Sequence, residues 1–253
     1  MLVPIIFIAI LGLMVGSFGA VVAYRVPIGE SPLTGRSRCD SCGELVAGYD
    51  NIPVVSWLLL RGSCRRCGVS IPARYPLAEV GVAAGFVGCY LAFEDDGAAW
   101  VALGCVFIAM LAIITLTDIE DRIIPNVVLA PTAIIGVALL AVADVDELPP
   151  HLLAGGIAGG FLLIVALMYP RGMGMGDVKL AAVMGLFLGR AVAPALLIGF
   201  AAGAIFGFAL IARHGQAARK QKVPFGPFLA LGAVVGLFAG DDIVEWYLDS
   251  FIR

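Results

Sequence analysis

Apolar runs long enough to cross a bilayer recur along most of this chain, and no other feature limits its fold so strongly. The first covers residues 2–22, and others follow at 76–93, 98–116, 127–143, 152–168, 178–188, 191–212 and 225–239. A hydrocarbon core of about 30 Å takes roughly 20 helical residues to cross. Backbone in lipid must satisfy its own hydrogen bonds, so each run reads as a helix. The chain is 61% hydrophobic and 14% charged, against roughly half and a quarter in soluble domains. Lipid is therefore the solvent for most of it. The expected fold is an all-α polytopic membrane protein of about eight transmembrane helices. No basic segment precedes the first run and Arg25 follows it, so residues 1–23 read as a retained first span rather than a cleaved signal.

The charges fix the number of spans. Residues 178–212 form one apolar stretch interrupted midway by Arg190. Dividing it there gives eight spans, and 14 of the 16 Lys and Arg residues then fall on one side, in 24–75, 117–126, 169–179 and 213–224. The other side keeps Arg190 and Arg253 but takes ten of the 19 acids, including Glu94, Asp95, Asp96, Asp144, Asp146 and Glu147. Merging the stretch into one span sends Arg213, Arg219, Lys220 and Lys222 to the acidic side. The positive-inside rule places the basic side in the cytoplasm and the N-terminus outside. Residues 76–253 then form a membrane core of seven helices.

Residues 24–75 are the one long polar excursion. They carry four of the six cysteines, as Cys39-Asp40-Ser41-Cys42-Gly43 and Cys64-Arg65-Arg66-Cys67-Gly68, with 21 residues between the pairs. Two residues between cysteines let both thiolates reach one ion, and the following glycine permits the positive φ of such a turn. The separation is slightly longer than in common zinc ribbons. A small domain with few large apolar side chains needs a staple. Four thiolates suit a structural Zn2+, held by Cys39, Cys42, Cys64 and Cys67. Disulfides or a redox dithiol are the other readings, and a reducing cytoplasm weighs against both. Cys89 and Cys105 lie inside spans and read as small core residues.

Acids at the edges of apolar spans mark function. Asp118, Glu120 and Asp121 close the third span, and Asp177 opens the sixth after Gly174 and Gly176. The charge count brings all of them out on one side. Two adjacent carboxylates cannot both ionise, so one keeps a proton while the other activates water, as an aspartic protease requires. Glycines at 174 and 176 leave room for a substrate backbone beside Asp177. The plainer alternative is that Asp177 caps its helix and Asp118 is a solvated loop acid; Glu120 and Asp121 are competing candidates for the first acid. His151 and His214 lie far apart, no HExxH or GxSxG motif occurs, and no basic stretch interleaved with aromatics offers a nucleic-acid footprint. Glycines at 199, 203 and 207, and at 232, 236 and 240, repeat every fourth residue and read as close helix packing. Lys179 reads as an interface anchor.

Several motifs in order resemble the type IV prepilin peptidases, membrane aspartic proteases of the GxGD type that also N-methylate the new terminus. Gly16-Ser17-Phe18 through Tyr24-Arg25-Val26-Pro27 is similar to the family's first-span signature. Ser37-Arg38-Cys39, Tyr49-Asp50-Asn51-Ile52-Pro53, Ser56-Trp57, Leu60-Arg61-Gly62 and Arg74-Tyr75-Pro76-Leu77-Ala78-Glu79 resemble its cytoplasmic domain. Asp118 with Pro125 resembles the first catalytic motif, Gly174-Met175-Gly176-Asp177 the second, and Pro224-Phe225-Gly226-Pro227-Phe228 a terminal motif. The resemblance implies catalysis by Asp118 and Asp177 and selects Asp118 over Glu120 and Asp121 as the first acid; Gly174 and Gly176 would admit the substrate backbone, and the charges of Glu120 and Asp121 would draw a basic leader. It implies prepilin or pseudopilin substrates with short basic leaders, cut at the cytoplasmic face of the bacterial inner membrane. It further implies S-adenosylmethionine as methyl donor, with Gly62 and Glu79 the positions of interest, and service to a pilus or type II secretion machinery. Ala20 stands where the family usually has asparagine, and Ser63 where a basic residue is common. Two other readings are a non-catalytic membrane scaffold, which tolerates loss of either aspartate, and a proton-coupled transporter, which needs acids near mid-span.

Overall fold

A computed structural model describes residues 2–169, 172–215 and 223–251. Arg171, Arg219, Lys220, Lys222 and Arg253, which enter the charge count, lie outside the described residues. The described chain is helical, with two isolated β-bridges and no sheet among the described residues. It divides into two compact units, Met1–Leu91 and Ala92–Arg253.

In the first unit α1 (Leu2–Arg25) and α3 (Arg74–Phe93) are both long and apolar enough to span a membrane. They run antiparallel and meet backbone to backbone. A Cβ at Gly12 would stand 2.6 Å from Ala83 Cα, and one at Gly16 2.7 Å from Glu79 Cα. Between the spans lie the cysteine loop, a 3-10 turn at Gly48–Asn51 and a short helix, α2 (Val55–Leu59). Arg25 folds the loop back onto the end of α1. Its buried guanidinium donates to the carbonyls of Thr34 (2.6 Å), Arg36 (3.0 Å) and Ser31 (3.3 Å), so the charge is met by main-chain dipoles. Val54, which precedes α2, has φ 60°. A β-branched residue there is strained by about 1–3 kcal/mol, and the Glu79 carboxylate holds it by accepting the Val54 N–H at 2.7 Å.

The second unit is a bundle of α4 (Ala98–Glu120), α5 (Asn126–Ala143), α6 (Leu148–Met168), α7 (Met175–Leu188), α8 (Val192–His214) and α9 (Gly226–Phe251). As one helix, Met175–His214 would be about 60 Å long, twice the hydrocarbon thickness. It breaks instead at a 3-10 turn, Gly189–Ala191, where Gly189 adopts φ 53°. The chain reverses there. Asp177 at the start of α7 and Gly226 at the start of α9 lie at the Asp118 end of the bundle, and α8 packs antiparallel to α9, Gly199 beside Leu229 and Ala195 beside Gly232. The division of this stretch at Arg190, expected from the charges, is thus present.

Small residues set the helix separations, as lipid-embedded packing favours. On α6 a Cβ at Gly155 would press 2.8 Å from Ala182 O, and on α7 one at Gly185 2.6 Å from Ala154 O. Five of the six glycines in the α8–α9 stripes abut a neighbour; Gly207 faces open space. The rings of Phe107 and Phe187 stack at 4.8 Å where α4 meets α7. A far-end staple ties α7–α8 to α9: Arg190 donates to Asp241 at 2.7 Å and to Glu245 at 2.8 Å.

Candidate active site

Asp118 sits in the last turn of α4 and is 6% exposed. The helix stops just beyond it because Arg122 turns into the left-handed region at φ 57°, with its N–H bonded to the Asp118 carbonyl. That ending holds the carboxylate inward. Its Oδ2 accepts the N–H of Gly226, the first residue of α9, at 2.7 Å. Any side chain at 226 would collide with the acid, since a Cβ there lies 2.9 Å from Oδ2 and 3.2 Å from Cγ.

Asp177 lies in the first turn of α7 and is half-buried. Its Oδ2 accepts the Gly174 N–H at 3.1 Å, half of the reciprocal pattern that closes a helix N-terminus. The capping role anticipated for Asp177 is therefore real, and it also fixes where the other carboxylate oxygen points. Asp118 is near enough to act on Asp177 electrostatically. Gly176 packs under the loop that leaves α4: its Cβ would fall 2.9 Å from Ile124 Cβ. Lys179 donates to Asn126 Oδ1 at 3.0 Å, so this lysine joins α7 to the start of α5 as well as marking a helix end. Gly174 is exposed, beside the Asp177 carboxylate.

The three acids that close α4 differ in surroundings. Asp118 is buried, Glu120 half-buried, and Asp121 exposed at the helix C-cap. Asp118 is the acid bonded to the first residue of α9.

In the first unit the four cysteine sulfurs lie within 4.8 Å of one another, and Cys39 Sγ and Cys67 Sγ are 3.7 Å apart. Tetrahedral ligands at a Zn–S distance near 2.3 Å stand about 3.8 Å apart, so the set fits such an ion. It is far from disulfide bonding distance. The knuckles repeat one construction: Cys39 and Cys64 donate N–H groups to Glu44 and Val69, and Gly43 and Gly68 both have φ 71°. The amides of Cys67 and Arg66 pull the Cys64 thiol down to about 7. At Cys42 the Glu44 amide acts the same way, but burial and the crowded thiols of Cys39 and Cys67 push it up to about 11. A cation among them resolves that crowding. Asp50 grips the second knuckle by accepting from Arg65 at 2.8 and 2.6 Å, and the guanidinium holds its carboxyl below the usual carboxylate range.

Gly62 and Glu79 bracket the two ends of α2. Gly62 has φ 68°, donates to the Trp57 carbonyl at 2.8 Å, and lies under the Trp57 ring, where a Cβ would be 2.8 Å from Cζ2. Glu79 is buried on Val54. Both have structural work at these positions. Gly226, flanked by Pro224 and Pro227, and Arg25, directly ending a span, stand out in the sequence, but their partners lie outside their own motifs and are visible only in the fold.

Comparison with known proteins identifies the family. Residues 10–93 match the bacterial peptidase A24 N-terminal domain and residues 105–208 the type IV leader peptidase family. A protein of Bacillus subtilis named prepilin leader peptidase/N-methyltransferase is 32% identical over 94% of this chain and 96% of its own length. Proteins of the same name from Stutzerimonas stutzeri and Aeromonas hydrophila are each 31% identical, over 94% and 95% of this chain and 92% of their own lengths. No solved structure matches the chain. With an N-terminal module and a peptidase module matched in order, and relatives aligned nearly end to end, the chain belongs to the type IV leader peptidase family.

Proposed function

We propose that this protein cleaves the short basic leaders of prepilins or pseudopilins with Asp118 and Asp177, and then N-methylates the exposed terminus. The observation that carries the reading is that two carboxylates, from α4 and α7, share one end of the bundle, where Gly176 packs on Ile124 of the loop after Asp118, with one oxygen of each held by a glycine amide. A pair so held has one carboxyl protonated and one ionised. The ionised member takes a proton from water, whose oxygen attacks the scissile carbonyl. The protonated member hydrogen-bonds the carbonyl oxygen as it becomes an oxyanion. Collapse of the tetrahedral intermediate breaks the C–N bond, and the proton taken from water passes to the leaving amine.

The charge distribution favours a multi-pass orientation in the bacterial inner membrane with the cysteine loop and both aspartates cytoplasmic. Cys39, Cys42, Cys64 and Cys67 would hold a structural Zn2+, which fixes the fold of residues 24–75. The methyl donor would be S-adenosylmethionine, with Gly62 and Glu79 shaping the region around α2. The pilus or type II secretion apparatus would receive the product. Acids at helix ends rather than mid-span speak against proton-coupled transport.

Cleavage of a purified prepilin by Asp118→Asn and Asp177→Asn variants tests the reading. Asparagine keeps an oxygen that can accept the Gly174 or Gly226 N–H but cannot shuttle the proton. Each variant should fold, insert and lose activity on the order of 1,000-fold. Near wild-type cleavage by Asp177→Asn would leave that residue as a cap and nothing more. Methyl transfer from labelled donor to pre-cleaved pilin, measured separately, should survive both substitutions.

A further inference from the structure

Helix α2 is too short and too exposed to be explained by packing within its own unit. Val55, Leu58 and Leu59 are 48%, 61% and 78% exposed. Their i, i+3, i+4 spacing puts them on one face, and exposed Ile52 precedes them. The opposite side is fastened inward: buried Ser56 donates to the Tyr49 carbonyl at 2.9 Å, and the Trp57 indole N–H to the Ile71 carbonyl at 3.0 Å. The helix is thus held rigidly with an apolar face outward.

Its depth is set by Glu79. That residue is the sixth of α3, about 7–8 Å along the axis from Arg74, inside a helix apolar enough to span the bilayer. By accepting the Val54 N–H at 2.7 Å, Glu79 holds the start of α2 at the level of the span's second turn. Leu77 and Val80, 68% and 48% exposed, lie on α3 at that same level. Arg61, exposed just after α2, supplies a cation at the polar edge. An apolar face, anchored at the depth where a span enters hydrocarbon and followed by a cation, has the chemistry of an interfacial segment.

We propose that α2 is a membrane-surface helix: Val55, Leu58 and Leu59 lie in the acyl boundary of the bilayer, with Arg61 among anionic headgroups, and dock the cysteine domain on the lipid. A second copy of this chain, or the apolar segment of a substrate, would cover the same face with different consequences.

The test places the photoreactive p-benzoylphenylalanine at Leu59 of the full chain, reconstituted in vesicles of phosphatidylethanolamine and phosphatidylglycerol, without substrate. Irradiation should give a lipid adduct in yield comparable to the same group at Phe161, an exposed residue midway along α6. A cross-linked dimer as the main product, or no lipid adduct, overturns the proposal. A second measurement avoids any change in α2. In a Trp100→Phe, Trp246→Phe background, lipid brominated near the headgroup end of its chains should quench Trp57 more than lipid brominated near the methyl end. Absence of quenching by either overturns it equally.

Discussion

The Gly226 amide reaches Asp118 Oδ2 at 2.7 Å across 108 positions of sequence, so the first turn of α9 is part of the site although it contributes no side chain. A methyl group at 226 would lie 2.9 Å from that oxygen, and either the acid or the helix must move. Misplacement of a reacting group by about 1 Å costs on the order of 100-fold in rate. Gly226→Ala should therefore lower kcat for prepilin cleavage by roughly 10- to 100-fold, with KM changed less. An unchanged kcat would show that Asp118 does not depend on this bond.

Gly176 makes a second such contact, with a hydrophobic partner. Its Cβ would overlap Ile124 at 2.9 Å, separating α7 from the loop that follows Asp118. Gly176→Ala should slow cleavage, and Ile124→Ala in the same chain should restore part of the rate by making room. A coupling of roughly 0.5–3 kcal/mol is the range for residues in direct contact, read from a double-mutant cycle on kcat/KM. Strict additivity would instead favour a role for Gly176 in admitting the substrate backbone.

Four sulfurs within 4.8 Å should bind one ion per chain, and acid should release it, because each thiol must lose its proton to become a ligand. The ion itself keeps its thiolates deprotonated, so the metal should stay bound at neutral pH and leave only in acid well below the range in which a free thiol titrates. Metal analysis of purified protein should find one zinc. Cys39→Ser should lose it and expose residues 24–75 to proteolysis, while the helical content of the spans persists. Full metal binding by Cys39→Ser would remove that residue from the ligand set.

The glycine stripes of α8 and α9 make a prediction with its own control. A Cβ at Gly232 would meet the Ala195 carbonyl, a backbone atom that cannot rotate away, whereas one at Gly207 would meet none of the described residues within 4 Å. Gly232→Ala should destabilise the protein by about 1–3 kcal/mol through overpacking, and Gly207→Ala should be neutral or slightly stabilising. Thermal unfolding in one detergent compares them directly. Equal effects would mean that α8 and α9 do not meet as described.

Spans, the break at Arg190 and the cysteine set were legible in the sequence because each rests on a local rule: run length against bilayer thickness, charge sign, or ligand spacing. The two aspartates were legible as acids at span ends. What surrounds them was not. The partner of Asp118 lies on another helix far along the chain, and no periodicity announces a backbone amide. Gly176 illustrates the same limit: its missing side chain suggested room for a substrate backbone beside Asp177, and nothing in the sequence shows that a Cβ there would also meet Ile124. Gly207 shares the spacing of its neighbours, yet a Cβ there would meet none of the described residues within 4 Å, since spacing fixes a face of a helix but not where the partner helix ends.

The exposed end of α4 bears on substrate choice. Asp121 is exposed and Glu120 half-buried beside buried Asp118, so a basic leader would meet negative charge before it meets the proposed catalytic acid. Exposed ion pairs contribute about 0–1 kcal/mol each, and a Debye length near 8 Å at physiological salt weakens them further. Glu120→Gln with Asp121→Asn should therefore raise KM for a basic leader by a few-fold, leave kcat nearly unchanged, and lose its effect as salt rises. A leader whose lysines are replaced by glutamine should not distinguish the variant from the wild type. If both leaders suffer alike, Glu120 and Asp121 act by shaping the end of α4 rather than by attracting charge.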